Sequence, residues 1–401
     1  MPPPPTKIRP TTPRRTRRFF LIAGEASGDL HASHLMQALR NECAARGTEA
    51  EFRFYGGQCM EAAGGEMLCH YRQLAYMGFI PVLLHLPTIM RGMSRCKRQI
   101  EEWKPDAVIL VDYPGFNLKM ARHVAARGLC PVYYYISPKI WAWKEGRIKQ
   151  IRKYVSHIFS ILPFEEEYFH RRGYQAVTYV GNPTFDEIRS WRETHADQKE
   201  DNARAIALLP GSRIQEIKDN LSRMLRAAAP FAEAGFTLHI AVVPSIPRTV
   251  YEHLVARSGV MHEAVRLVEG RTYELLSHSA AALVTSGTAT LETALLGVPQ
   301  VVCYYMAFGK LMSFLRRKFL KVPFISLVNL IAGREVVPEL VADDMNAEAV
   351  RTHLRTLLTD EAARAEMKAG YAEVARRLNT PGAPQRTAQG MMARLESGGQ
   401  A

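Results

Sequence analysis

Two short segments carry the residue types from which an anion site can be built. The run Thr285-Ser286-Gly287-Thr288-Ala289-Thr290-Leu291-Glu292 follows an apolar stretch that reads as a strand, and it opens an apolar helix ending at Gly297 and Pro299. Ser286, Gly287, Thr288, Ala289 and their backbone N–H groups then lie at a helix N-terminus. There, unsatisfied donors and the positive end of the helix dipole suit a diphosphate. Glu292, farther along the helix, is placed to accept hydrogen bonds from a ribose diol. The plainer alternative is that Ser286 or Thr288 only caps the helix. The second segment, Leu209-Pro210-Gly211-Ser212-Arg213, also follows a strand. Gly211 permits close backbone approach, and Arg213 offers phosphate oxygens a planar, permanently charged fork. By itself this segment reads equally as a turn with a solvated arginine. Two anion-suited loops at strand ends in one half of the chain say more together than either does alone.

The first half carries carboxylates in the corresponding places. Gly24-Glu25-Ala26-Ser27-Gly28-Asp29 lies between the first strand and the first helix. It is not the Gly-x-Gly-x-x-Gly fingerprint, so a dinucleotide cofactor is not expected. Asp29 reads as an N-cap, whereas Glu25 and Ser27 sit on a loop that faces a presumed cleft. In Val111-Asp112-Tyr113-Pro114-Gly115-Phe116-Asn117, Asp112 projects from a strand end, where a carboxylate can take a proton from an attacking hydroxyl. A free Asp has a pKa of about 4, so desolvation would help it act as a base. The alternative is a turn-capping Asp. Trp141 and Trp143, in Ser137-Pro138-Lys139-Ile140-Trp141-Ala142-Trp143-Lys144, can line a sugar or acyl site but read more safely as core. No Asp-x-Asp pair follows a strand, and Asp343-Asp344 comes late, in a helix connection. The reading is therefore a metal-independent reaction with no cofactor, in which departing charge is met by the helix terminus, the hydroxyls and Arg213.

These loops need a rigid scaffold. Short apolar runs alternate with amphipathic stretches from Phe19 onward, the rhythm of parallel strands joined by helices. Strands are expected at 19–23, 52–55, 107–111, 132–136, 158–162 and 177–180, with helices at 30–46 and 118–127, the latter stopped by Gly128. After a polar connection at 186–202, a second series is expected at 205–209, 238–243, 265–268, 281–285 and 300–304. Long helices follow from 346. The fold class is α/β, with two Rossmann-like doubly wound domains facing a central cleft. Ligands then bind in loops beyond the carboxyl ends of the strands. The expected division is a disordered tail at 1–18, a first domain at 19–185, a second at 186–365, and helices at 366–401 that return to the first domain or exchange in a dimer.

Composition sets the outer bounds. The 401 residues, 47% hydrophobic and 23% charged, suffice for two full cores. No apolar run reaches the roughly 18 residues of a spanning helix. Six scattered cysteines without a Cys-x-x-Cys pair argue against structural zinc and fit reduced thiols in the cytosol. The net charge of +13 admits nucleic acid, anionic lipid or phosphorylated substrates as partners. No zinc-finger spacing, RNP signature or helix-turn-helix is present, so nucleic acid is not expected.

One further segment is greasy. Residues 77–90 read Met-Gly-Phe-Ile-Pro-Val-Leu-Leu-His-Leu-Pro-Thr-Ile-Met, and Arg91, Arg95, Lys97 and Arg98 follow. Pro81 and Pro87 make a continuous core helix awkward. Apolar residues Ile80, Val82, Leu83, Leu86, Ile89 and Met90 beside basic ones suit an anionic bilayer surface. A buried element crossing the domain is the alternative.

Taken together, residues 24–29, 77–83, 112–117, 136–143, 162–165, 208–213, 286–292 and 328–335 resemble, in order, the segments of the lipid-A-disaccharide synthase family, glycosyltransferases of bacterial outer-membrane biogenesis. The resemblance implies a GT-B fold and an inverting transfer from UDP-2,3-diacylglucosamine to 2,3-diacylglucosamine 1-phosphate (lipid X). The products would be the β-1′,6-linked lipid A disaccharide 1-phosphate and UDP. It implies that Asp112 is the proposed base for the acceptor 6-hydroxyl and that Glu25, Arg213 and Asn329 are needed for activity. Ser27, Asn117, Ser212, Ser286, Gly287, Thr288, Ala289, Glu292 and Arg334 are the further substrate-binding candidates within the matching segments. The loop at 80–90 would insert into the inner face of the inner membrane, making the protein cytoplasmic and peripherally bound. A homodimer with exchanged C-terminal segments is also implied. The proline-rich tail lies outside the resemblance, and Pro81, His85 and Pro87 stand at loop positions that are charged in some relatives. Two rivals remain at this point: a UDP-N-acetylglucosamine 2-epimerase, which needs no greasy acceptor loop, and a non-catalytic UDP-sugar or lipid-binding protein.

Overall fold

The computed structural model describes residues 15–74, 82–142, 144–195, 204–305 and 323–397, and of residues 74 and 82–89 the backbone only. The chain divides into two compact units: residues up to 140, 144–183 and 382 onward form one, and residues 141–143 and 184–381 the other.

The first unit is built on seven strands: β1 (Thr16–Ala23), β2 (Glu49–Gly56), β3 (Glu66–His70), β4 (Ala107–Val111), β5 (Val132–Tyr135), β6 (His157–Ser160) and β7 (Val177–Tyr179). Their order is β3-β2-β1-β4-β5-β6-β7, and every pairing is parallel. A central parallel strand is covered on both faces and so reads as a continuous apolar run. In β1, Phe19 to Ala23 are all fully buried. Phe20, Ile22, Leu110 and Tyr134 pack with Met93, Cys96, Ile100 and Trp103 of the helix Val82–Trp103. Phe19, Leu21, Ile109 and Tyr135 pack on the opposite face with Leu35 and Leu39 of the helix Ala26–Ala45 and with Ala388 and Met391 of the helix Ala383–Ser397. The last helix of the chain thus completes the core of the first unit.

The second unit has six parallel strands: β8 (Ala205–Leu209), β9 (Thr237–Val242), β10 (Val265–Glu269), β11 (Ala281–Val284), β12 (Gln300–Tyr304) and β13 (Glu339–Val341), in the order β10-β9-β8-β11-β12-β13. The helices Ala347–Thr359 and Glu361–Leu378 belong to this unit. An interdomain boundary at 366 would cut the second of them.

Four expectations are corrected. The tail does not run to 18: β1 starts at Thr16 because its ladder with β2 extends outward to the pair Thr16↔Glu49. Arg17 is buried there, its guanidinium 2.8 Å from Asp106. Residues 1–14 lie outside the described residues. The polar stretch from 186 opens as the helix Pro183–Thr194, which Pro183 starts well, since a first-turn proline lacks only an N–H that has no partner anyway. Pro87 does not interrupt a helix, because Val82–Trp103 runs through it. Loss of one i→i−4 bond near a helix start is offset by the buried face at Met93, Cys96, Ile100 and Trp103, spaced three or four residues apart. Asp29 is not the cap of its own helix. It lies inside Ala26–Ala45, and its carboxylate accepts N–H bonds from Gly57 (2.7 Å), Cys59 (3.0 Å) and Met60 (3.2 Å), capping the next helix, Gln58–Ala62. Two strands, β3 and β13, carry no expectation.

In each sheet the strand order reverses once, beside β1 and β4 in the first unit and beside β8 and β11 in the second. Such a reversal opens a crevice at the carboxyl ends of the two strands. The loops that leave those four strands are the four that the residue types singled out.

Candidate active site

In the second unit, a cavity of about 620 Å³ opens at the ends of β8 and β11. Its walls include Gly211 and Ser212 after β8, Ser286, Gly287, Thr288 and Ala289 after β11, and Glu292 one turn deeper. That volume falls within the usual range for small-molecule sites. Neither hydroxyl caps the helix Thr288–Leu295. Its N-cap is Gly287, with no side-chain cap bond, and the Ser286 hydroxyl instead donates to the Ile325 carbonyl at 3.0 Å. The N–H groups at this terminus thus have no capping side chain. At the other end Gly297, with φ +80°, makes the left-handed turn that stops the helix.

Glu292 has an unusual environment. Burial, and then the like charge of Glu187, push its carboxyl up to about 7, partly opposed by a hydrogen bond from Thr288. Glu187 comes from the helix Pro183–Thr194 and accepts a 3.4 Å bond from the Tyr273 hydroxyl. Trp191, on the same helix, meets Tyr273 edge-on and stacks on His195, and all three side chains line the cavity. A carboxylate in an apolar, acidic corner is a frequent mark of a functional site.

Arg213 is exposed, and its guanidinium is 2.7 Å from Glu216. Glu216 also accepts the Ser212 N–H at 3.1 Å and lines the cavity. Gly211, at φ +120°, has no room for a Cβ, which would lie 2.7 Å from Glu216. Arg213, Asn329 and Arg334 do not line this cavity. Asn329 is fully buried, and its side-chain oxygen and nitrogen are both engaged with Val336, Val337 and Glu339. Arg334 is exposed and paired with Glu373 at 2.9 Å.

In the first unit, β4 ends in a strained turn. Asp112 (φ 42°) and Tyr113 (φ 44°) are consecutive left-handed residues, and Ile136, at the end of the neighbouring strand, is a third (φ 64°). Each costs roughly 1–3 kcal/mol unless its surroundings enforce it, and such residues cluster at functional sites. Enforcement is visible here. The Asp112 carbonyl accepts from the Tyr134 hydroxyl (2.5 Å) and the Asn117 amide (2.8 Å), and the Asp112 N–H donates to Ile136 (3.1 Å). Asn117 also reaches the Val111 carbonyl at 3.2 Å and is fully buried, so it holds the turn and presents no surface to a ligand. The Tyr113 ring lies over Gly24, where a Cβ would sit 2.2 Å from Cγ. This stacks the loop after β1 on the loop after β4. Glu25, half-buried, accepts from the Ser27 hydroxyl at 3.0 Å. Burial, and then Glu25, raise the Tyr113 phenol to about 12. Burial lowers Arg147, while Tyr134 and Asp112 pull it back up, which sets a cation within electrostatic reach of Asp112.

Of the apolar segment, Ile80 and Pro81 lie outside the described residues. Val82, Leu83, Leu86 and Ile89 fall on the helix Val82–Trp103, and Met90 is 55% exposed. No helix among the described residues is long and apolar enough to cross a membrane. Trp141 is buried, and Trp143 lies outside the described residues.

The family model for lipid-A-disaccharide synthetase, LpxB, matches residues 19–389. The chain belongs to the lipid-A-disaccharide synthase family. The chain is 39% identical over 387 residues to the lipid-A-disaccharide synthase of Myxococcus xanthus, covering 95% of this chain and 98% of that one. It is 38% identical over 393 residues to that of Anaeromyxobacter dehalogenans, covering 94% and 97%. Among solved structures, the UDP co-structure of S. aureus MnaA superposes with a TM-score of 0.67 at 12% identity over 95% of this chain and 97% of that one. The calicheamicin glycosyltransferase CalG4 does so at 0.58 with 16% identity, over 96% and 99%. These likenesses establish the GT-B class of two Rossmann-like domains. As a lipid-A-disaccharide synthase family member, the chain is an enzyme of lipid A biosynthesis that acts by glycosyl transfer.

Several residues of the family member's cavity had no sequence signal. Glu187, Trp191 and His195 belong to a stretch that reads as a polar connection, and Tyr273 follows the exposed end of β10. Glu216 stands three residues beyond the Gly-Ser-Arg turn, at the spacing of a helix-capping glutamate, and that spacing was the available clue. Arg147 sits in a basic stretch with no pattern to single it out.

Proposed function

We propose that the enzyme transfers the 2,3-diacylglucosamine unit of UDP-2,3-diacylglucosamine to the 6-hydroxyl of 2,3-diacylglucosamine 1-phosphate (lipid X), with inversion at the anomeric carbon. The observation that carries the donor half is the cavity at the ends of β8 and β11, with the Pro210-Gly211-Ser212 turn on one side, an uncapped helix N-terminus on the other and Glu292 within; Arg213 follows that turn at the surface. The diphosphate takes the N–H groups near Ser286 to Ala289 and the Arg213 guanidinium, and the ribose hydroxyls bond to Glu292. The UDP-bound fold relative supports a uridine nucleotide in this place.

In the reaction, the acceptor O6 forms a bond to the donor C1 as the bond from C1 to the β-phosphate oxygen breaks. The bonding pair leaves with UDP, whose charge the helix terminus and Arg213 stabilise. The O6 proton passes to the Asp112 carboxylate. The strained turn holds Asp112 in one orientation, and Glu25 and Ser27 of the adjoining loop contact the acceptor. The segment around Leu83 and Leu86 rests on the anionic inner face of the inner membrane, from which both acylated substrates are drawn.

The reading is tested by incubating the protein with UDP-2,3-diacylglucosamine and lipid X and following products by mass spectrometry. The expected products are the disaccharide 1-phosphate with β-1′,6 linkage and an equal amount of UDP, formed equally well in the presence of EDTA. Epimerised sugar without disaccharide would overturn the reading, and loss of activity in EDTA restored by magnesium would overturn its metal-independent chemistry.

A further inference from the structure

The second unit contains a buried hydrogen-bond relay that ends on the cavity wall, and its hub is Glu339. This residue opens β13, in register with Val302 of β12, and is half-buried. One carboxylate oxygen accepts the Ile325 N–H at 2.8 Å. The other accepts the Ser326 N–H at 2.9 Å and the Asn329 side-chain amide at 2.9 Å. Asn329 is itself locked: its oxygen accepts the N–H groups of Val336 (2.7 Å) and Val337 (3.0 Å), and its amide also donates to the Val337 carbonyl (2.9 Å). The Ser326 hydroxyl accepts the Asn329 N–H at 3.2 Å, capping the helix Leu327–Ala332. Two consecutive peptide units, at Ile325 and Ser326, are thereby fixed from one side. From the other side, the Ile325 carbonyl accepts the hydroxyl of Ser286, a residue of the cavity wall, at 3.0 Å.

We infer that Glu339 is a positioning residue for the donor site: it fixes the backbone at Ile325 and Ser326, whose carbonyl in turn orients Ser286 and the turn that receives the diphosphate. The inference rests on the donor-site reading above. It also gives a physical route by which Asn329, which is fully buried, would act on the donor site. Asn329 clamps one oxygen of the Glu339 carboxylate, and without it that carboxylate is free to rotate away from the two N–H groups.

The chemistry needs a carboxylate. Both oxygens of Glu339 receive donors, three in all, and a carboxylate is an acceptor on both sides. An amide of the same shape must turn a donor NH2 group toward an N–H, leaving one of them unpaired. Glu339→Gln therefore loosens the 325–326 segment without removing volume.

The test is UDP titration by calorimetry on the full chain for the wild type, Glu339→Gln, Ser286→Ala and the double variant, with Arg213→Ala as a donor-site control and melting temperatures in parallel. Glu339→Gln and Ser286→Ala are each expected to weaken UDP binding by about tenfold, the scale of one well-placed hydrogen bond. The double variant is expected to be no weaker than either single one, because both changes cut the same relay. A residue with only a structural role would lower the melting temperature and leave the affinity of the folded protein unchanged, and that result overturns the proposal. Fully additive effects in the double variant overturn it as well. If Arg213→Ala and Ser286→Ala both bind UDP like the wild type, the donor-site reading falls and this proposal with it. If they weaken binding and Glu339→Gln does not, only this proposal falls. Amide hydrogen exchange on the wild type decides the matter without any variant: saturating UDP is expected to slow exchange at Ile325 and Ser326, and unchanged exchange there overturns the relay.

Discussion

In the proposed donor site, Glu292 is expected to make nucleotide binding sensitive to pH in the physiological range. Its carboxyl titrates at about 7 because burial and the neighbouring Glu187 both disfavour the charge. Ribose hydroxyls donate hydrogen bonds, so the ionised carboxylate is the form expected to bind nucleotide. Between pH 8 and pH 6 the ionised fraction falls from about nine-tenths to about one-tenth, so UDP affinity is expected to fall by about tenfold, or roughly 1.4 kcal/mol. The free phosphate of UDP titrates near neutral pH as well, but identically for every variant. The assay is therefore the difference between wild type and Glu292→Gln, each titrated with UDP at pH 6, 7 and 8. The variant is expected to bind more weakly at pH 8 and to lack the extra pH slope. Stability moves the opposite way. An acid whose folded-state pKa is raised favours the fold below the unfolded value of 4.5 and loses that contribution as pH rises through about 7. The interval sets an upper bound of roughly 3 kcal/mol on the cost of the charge. Glu292→Gln should accordingly raise the melting temperature at pH 8 and leave it nearly unchanged at pH 4. A variant that keeps the full wild-type pH slope would refute the assignment of that slope to Glu292.

Two further outcomes follow from the geometry. Gly24→Ala places a methyl group 2.2 Å from the Tyr113 ring, so the ring must move and the Asp112 turn with it. The expected cost is about 1–3 kcal/mol in thermal or urea unfolding, with turnover falling more than UDP affinity, because the cavity proposed for UDP lies in the other unit. Leu83→Ser combined with Leu86→Ser should weaken sedimentation with anionic vesicles while preserving the melting temperature, and unchanged vesicle binding would count against this helix as the anchor.

The parts of the molecule legible in sequence are those where one physical demand dominates. Strands buried on both faces, such as β4 and β8, are continuous apolar runs, and their bounds match the expectation. Three of the four loops, those after β1, β8 and β11, were legible because Gly and polar residues directly after a strand end are unusual and have a definite geometric meaning; the loop after β4 was legible from the carboxylate of Asp112 at the strand end. Edge strands were harder. In β3, Glu66 is exposed and Met67 to His70 are only partly buried, and β13 has three residues, so neither yields a period. The helix Pro183–Thr194 was hidden because its last turn and a half is mostly exposed and its charge resembles that of a linker. Most difficult was the division between side chains that touch ligand and side chains that hold the ones that do. Asn117 and Asn329 belong to motif segments, as Asp112 and Ser286 do, yet both are fully buried and spend their amides on backbone. Sequence identifies a polar residue beside a site, and only the hydrogen-bond inventory shows which way it faces.

The proposed reaction divides between UDP recognition in the second unit and proton transfer at Asp112 in the first. Asp112→Asn separates the two, since the amide keeps the size of the carboxylate and cannot take the proton. Its turnover of UDP-2,3-diacylglucosamine and lipid X should fall at least about tenfold to a hundredfold, the scale of general base catalysis, while its dissociation constant for UDP equals that of the wild type. Wild-type turnover in the folded variant, or loss of UDP binding together with turnover, would contradict the account.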